Sequence, residues 1–142
     1  MTDGFASPEA AEAAFYSAFA ATDLAAMEGV WLDGGGAVCI HPGGGLLQGK
    51  AQVMQSWAEI LTGTTPPHVE CRLISRTETT DLAVHLVEES IRAGGDPRAP
   101  VNRVLATNVF VRGSRGWHLA SHHASLPLMA RRGSQQGERQ LH

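Results

Sequence analysis

Residues 101–125 read VNRVLATNVFVRGSRGWHLASHHAS, and they decide the fold class. Val101 to Arg112 is predicted to be one long strand. Gly113-Ser114-Arg115-Gly116 is a tight turn. Trp117 to Ser125 is the returning strand. Alternating side chains bounded by a glycine turn are the signal of an antiparallel hairpin. Working back from this hairpin, Leu82 to Arg92 and His68 to Arg76 continue the period-two pattern, with Val69, Cys71 and Leu73 on one face. Asp81 sits in one turn and Ala93-Gly94-Gly95-Asp96-Pro97 forms the other.

The first half of the chain has a different period. Ser7-Pro8-Glu9 is a helix start, because Ser can cap, Pro suits the first helical position and Glu complements the dipole. Ala11, Ala14, Phe15, Ala18 and Phe19 then form one apolar stripe. Thr22-Asp23 caps a shorter helix running to about Trp31, and Gly34-Gly35-Gly36 stops it. Ala37 to His41 is a short strand, Pro42 to Gly45 a turn, and Leu46-Leu47-Gln48 a return. A third helix follows Gly49-Lys50, with Val53, Trp57, Ile60 and Leu61 on its apolar face. Helices first and long antiparallel strands after argue an α+β fold, three helices packed on one face of a curved sheet. Such a cone is open at one end, where a small ligand would sit. Residues 1–7 are read as an N-terminal arm, 8–129 as the domain, and 130–142 as a polar, disordered tail.

Composition narrows the partners. The 142 residues carry 11 basic and 14 acidic side chains, a formal charge of −3. No basic field exists to bind nucleic acid, and no basic cluster precedes an apolar helix as a membrane anchor requires. No apolar run approaches the ~20 residues of a span, and MTDGFASPEA is not a signal peptide. A cytoplasmic location is expected. Cys39 and Cys71 are expected to be buried free thiols. Phosphate loops, HExxH, CxxC and a GxSxG elbow are all lacking. No cofactor is expected. A metal site is conceivable only from sequence-distant His41, His122 and a carboxylate, a weak signal without spacing to support it.

Seven histidines stand out in a chain of this length. His41 ends a strand beside a glycine turn that leaves room for a ligand. His122 and His123 are adjacent, so they point to opposite faces and only one can enter the cone. Small Ala120 and Ala124 favour His122 inward, with His118 on the same face, and make it a catalytic candidate. His123 stays in the ligand-binding set, since a strand alone leaves the choice open. Glu88 shares a face with Val84, Leu86 and Ser90 that reads as interior. It would be a partly buried carboxylate with a raised pKa, a candidate catalytic base. The competing reading is an ion pair with Arg103. Asn108 sits mid-strand, where Asn is disfavoured, and needs a partner such as a ligand carbonyl or a neighbouring His. Trp57 is a ligand platform or a core residue.

Three segments carry a family resemblance. They are Ala18 to Met27 followed by Trp31; Cys39-Ile40-His41-Pro42-Gly43-Gly44 followed by Leu47, Gly49 and Trp57; and Ala106 to Val111 followed by Gly116-Trp117-His118-Leu119 and His122-His123-Ala124-Ser125. Together they resemble the nuclear transport factor 2-like superfamily, which includes SnoaL-like polyketide cyclases and ketosteroid isomerases. The third segment, with Ala93-Gly94-Gly95 and Pro97-Arg98 before it, is similar to the association domain of calcium/calmodulin-dependent protein kinase type II and its free-standing bacterial versions. The resemblance spans about residues 8–127. It implies a small-molecule pocket, acid/base isomerase, cyclase or hydratase chemistry on an apolar carbonyl compound, or else a non-catalytic binding or oligomerisation module. It also implies a homodimer through the outer sheet face. Ketosteroid isomerases use an Asp base with a Tyr and a protonated Asp as oxyanion hole. This chain offers one Tyr, Tyr16, and no Asp within a strand.

Overall fold

A computed structural model describes residues 3–62 and 65–127. Helix α1 spans Pro8–Ala21. Ser7 accepts a hydrogen bond from the Ala10 amide at 3.0 Å and caps it. The helix ends at Thr22, held in the left-handed region (φ 51°), whose amide reaches back to α1 carbonyls. Asp23 accepts from the Ala26 amide and caps α2, Leu24–Val30. Two short strands follow, β1 (Val38–Ile40) and β2 (Leu47–Gln48), then α3, Lys50–Leu61. The Lys50 ammonium ties the start of α3 to Asp33 at 2.7 Å and to the Trp31 carbonyl at 3.2 Å. The long strands are β3 (His68–Glu78), β4 (Leu82–Arg92), β5 (Val101–Gly113) and β6 (Gly116–Ser125).

The six strands form one sheet in the order β2-β1-β6-β5-β4-β3. Among the described strands β1 pairs with β6 in parallel and the other neighbours are antiparallel. The helices pack on its concave face, giving the expected α+β cone. The core joins Phe15, Met27, Trp31, Trp57, Phe110 and Leu119, each at most 1% exposed. Each is worth about 1.5–3 kcal/mol in apolar area removed from water. Two bulges re-aim side chains, one in β3 between Leu73 and Ser75, the other in β6 opposite Val109 and Phe110. In the described part of the N-terminal arm, Phe5 pairs with Trp117 through two backbone hydrogen bonds, so this stretch is docked on β6. The tail expected at 130–142 lies outside the described residues.

Both thiols are free. Cys39 is buried, but Cys71 is exposed, against expectation. Cys71 lies on β3, the edge strand, where no further strand covers it. Ile60, expected in the core, is 38% exposed at the open end of the cone. Among the described residues no helix is long and apolar enough to cross a membrane.

Candidate functional site

The inner face of β4 carries Ala83, His85, Val87 and Glu89, none more than 2% exposed. Cross-strand pairing sets Asn108 of β5 opposite His85 and, on its other side, opposite His122 of β6. Helix α1 crosses above and supplies Glu12 and Tyr16, one turn apart and therefore on one face. The six polar side chains among these, Glu12, Tyr16, His85, Glu89, Asn108 and His122, form a single network. The Tyr16 hydroxyl donates to Glu89 Oε2 at 2.5 Å. Asn108 Nδ2 donates to Glu12 Oε2 at 3.0 Å and to the Tyr16 oxygen at 3.1 Å. His122 Nδ1 lies 2.6 Å from Asn108 Oδ1, and His85 Nδ1 donates to Glu12 Oε1 at 3.0 Å. His122 Nε2 stands 3.8 Å from Glu89 Oε2. Buried polar groups in a low-dielectric interior are costly unless bonded, so this cluster holds its members in one arrangement.

Burial sets the charges. It pushes the Glu89 carboxyl up to about 7, with the Glu12 charge adding and the Tyr16 hydrogen bond opposing. Burial drives His122 down to about 3, helped by His41 and His123, so its imidazole is neutral at neutral pH. Burial and the Glu89 charge raise Tyr16 well above the usual phenol range, which keeps its proton in place as a donor.

Glu88 is a correction. It lies on the outer face, where its carboxylate meets Arg72 at 3.2 Å and Arg103 at 3.8 Å. The interior carboxylate is its neighbour Glu89. The face carrying Val84 and Leu86 has the larger apolar side chains, but it is the convex one, and the interior face uses small Ala83 to make room for α1. His123 is a second correction. It is exposed on the outer surface, while His122 is 2% exposed and inside. His118 does not share the His122 face, because the β6 bulge pairs it with Val111 on the other side.

His41 packs its ring on Trp57 (5.0 Å between centroids), and its Nε2 lies 2.9 Å from Ser56 Oγ. That hydroxyl spends its hydrogen on the Val53 carbonyl at 2.6 Å. Its oxygen is therefore an acceptor for His41, so this is not an activated nucleophile. Burial holds the nearby Cys39 thiol up at about 12, which leaves it inert. Trp57 is 1% exposed among Phe15, Phe19, His41 and His122, a core residue beside the network. Among the described residues no group of three or more His, Cys, Asp or Glu is placed to hold a metal ion. The sequence reading missed Glu12, Tyr16, His85 and Glu89 as site members. One signal was available: Glu12 and Tyr16 flank the α1 apolar stripe at i, i+4 spacing.

An apolar groove of about 510 Å³ opens at the end of the cone, lined by Phe19, Ile60, Leu61, Pro67 and Ile91. Its wall is tight at Gly94, where a Cβ would meet the Pro66 carbonyl oxygen at 1.9 Å. Ile91 lies two residues along β4 from Glu89 on the same face, a separation of about 7 Å. Phe19 lines the groove, its ring lies 5.2 Å from that of Trp57, and Trp57 in turn lies 6.4 Å from His122.

A curved, mostly antiparallel sheet wrapped on three helices defines the α+β cone of nuclear transport factor 2-like proteins. Within that class the chain belongs to the SnoaL-like domain family, whose profile matches residues 9–129. It is similar to a solved chain from Thiobacillus denitrificans assigned as a calcium/calmodulin-dependent protein kinase type II association domain. The two are 35% identical with a TM-score of 0.81, over 87% of this chain and 98% of that one. A Streptomyces avermitilis chain assigned as a dehydratase of the NTF2-like family is also 35% identical, with a TM-score of 0.76 over 84% and 92%. The F-box protein SKIP8 of Arabidopsis thaliana is 29% identical over 75% of this chain, which spans only 43% of that relative's length. A ketosteroid isomerase-like protein from Erwinia carotovora, 18% identical over 85% and 94% with a TM-score of 0.69, shares the fold.

Proposed function

We propose that this chain binds a small apolar carbonyl compound at the open end of the cone and exchanges a proton with it. Glu89 is the acid/base group, Tyr16 gives its one hydrogen to Glu89 and steadies the charged form of that carboxyl, and His122 is a neutral acceptor beside them. Asn108 holds the three in place. The observation that carries this reading is Glu89 itself. It is a 2% exposed carboxyl, bonded by Tyr16 and held near neutrality, on the strand that floors the apolar groove. A carboxyl with a pKa near the working pH is suited to general acid/base catalysis. Isomerisation, cyclisation and hydration or dehydration of a carbonyl compound all use that proton transfer. The likeness to a chain assigned as a dehydratase supports the last of these.

The test is deuterium incorporation at the α-carbon of an apolar ketone in D2O. Wild-type protein is expected to accelerate exchange, and Glu89→Gln to lose about 10²–10⁴-fold of that acceleration. Equal rates in the two proteins would overturn the catalytic reading.

A second reading, a non-catalytic binding or oligomerisation module, draws on different observations. Glu88 is taken by Arg72 and Arg103, Phe15 and Trp57 fill the interior, and the Thiobacillus chain is assigned as an association domain. Under it the ketone binds without exchange.

Homodimerisation through the outer sheet face belongs to either reading. Leu82, Leu86 and Leu105 are 36–42% exposed there, next to the Arg72–Glu88–Arg103 ion pairs. An apolar strip with a charged margin suits a second copy of the same surface. Sedimentation is expected to give twice the 15.1 kDa chain mass. Leu86→Arg is expected to give the single-chain mass, and a wild-type monomer at micromolar concentration would refute the dimer. A cytoplasmic location is part of the same proposal, supported by the two free thiols.

A further inference from the structure

The Asn108 amide can be oriented from chemistry alone. The atom 3.0 Å from Glu12 Oε2 faces a carboxylate, which only accepts hydrogen bonds, so it is the amide nitrogen. Its second hydrogen goes to the Tyr16 oxygen. The amide oxygen is left facing His122, and an amide oxygen also only accepts. His122 Nδ1, 2.6 Å away, must therefore carry a hydrogen. A neutral imidazole has one such hydrogen, so Nε2 presents its lone pair. That lone pair stands 3.8 Å from Glu89 Oε2, the oxygen that also accepts from Tyr16.

We infer that Asn108 is a positioning residue that holds His122 in its Nδ1–H tautomer and so leaves the Nε2 lone pair on the side of Glu89 as an acceptor. This deepens the acid/base reading of the same site and rests on it for its catalytic meaning.

The other titratable groups around the pair are few. Glu12 and Tyr16 face it from α1, Cys71 from β3, His85 from β4, Cys39 and His41 from β1 and its end, and His123 follows it on β6. Glu12 gives Asn108 its orientation. A carboxylate at position 108 would set a second negative charge against Glu12, whereas the amide satisfies Glu12, Tyr16 and His122 together.

The experiment is nitrogen-15 NMR of the histidine rings in the intact chain without ligand, from pH 5 to pH 8. The His122 signals are identified by their loss in His122→Asn. Wild type is expected to show a protonated Nδ1 and an unprotonated Nε2 throughout, with the Nε2 shift inflecting near pH 7 as Glu89 titrates. Asn108→Asp, still an acceptor, is expected to keep the tautomer, and Asn108→Leu to move the hydrogen to Nε2. If the Leu variant fails to fold, the wild-type spectrum alone decides. A protonated Nε2 in wild type overturns the inference, as does an Asn108→Leu variant that folds and keeps the hydrogen on Nδ1. The spectra need no substrate. A missing ketone exchange with the expected tautomer would sink the proposed function, and the wrong tautomer with normal exchange would sink only this inference.

Discussion

Replacing Phe15 by Ala is expected to cost about 3–5 kcal/mol of folding stability, measured by urea denaturation. Phe15 is fully buried on α1 and touches every layer of the cone. Its ring meets Tyr16, Trp57 and Trp31 edge-on, at centroid distances of 4.8, 5.4 and 6.2 Å, and His122 at 4.9 Å. Each good aromatic pair adds about 0.5–1.5 kcal/mol beyond the area buried. The cavity left by truncation cannot collapse easily, since helices and sheet are both tied to it. A loss of this size lowers the melting temperature by roughly 10 °C in a chain of this length. Leu46→Ala, at 62% exposure, is the control and should stay within about 0.5 kcal/mol of wild type. A Phe15→Ala loss under about 1 kcal/mol would mean the aromatic cluster does not hold the helices to the sheet. Because Phe15 packs on His122, the variant should also loosen the polar network.

Stability against pH should reveal two opposed titrations. Folding raises Glu89 from its usual 4.5 to about 7. The native state then holds a proton that the unfolded chain has lost, so this contribution is full below 4.5 and disappears as pH rises through 7. Folding lowers His122 from 6.5 to about 3. There the unfolded chain binds the extra proton, and stability falls as pH drops from 6.5 towards 3. Between pH 4.5 and 6.5 the two slopes cancel, so the wild-type contribution of the pair is flat. Removing one partner exposes the other. Glu89→Gln should be about 2 kcal/mol less stable at pH 5 than at pH 7, and His122→Asn about 3 kcal/mol less stable at pH 7 than at pH 5. Slopes of the same sign in both variants would contradict the burial-driven shifts.

Much of the fold was legible because local chemistry sets it. Ser7 and Asp23 cap where short polar side chains before an apolar stripe should cap. The turn at 113–116 and the strand from Leu82 to Arg92 follow from glycine and period two. The site was legible only in part. Asn108 and His122 were readable, one as a polar residue in mid-strand and the other beside small alanines. Glu89 was not, because the convex face of β4 is as apolar as an interior. An interior that must admit Glu12 and Tyr16 from α1 is built from Ala83 and His85 instead. His118 was misassigned because one extra residue in β6 shifts the alternation, and a bulge leaves no mark in composition.

The amino-acid sequence by itself determined the order and type of the elements, their caps and turns, and the α+β class, since each of these depends on neighbours within a few residues. Only the tertiary structure decided which of Glu88 and Glu89, and which of His122 and His123, faces the helices. A period-two strand has two equivalent faces, and the choice between them is made by what packs on one side. Glu12 and Tyr16 reach Asn108 and Glu89 across 73 to 96 residues of chain, and that distance is closed only when α1 lies across the sheet.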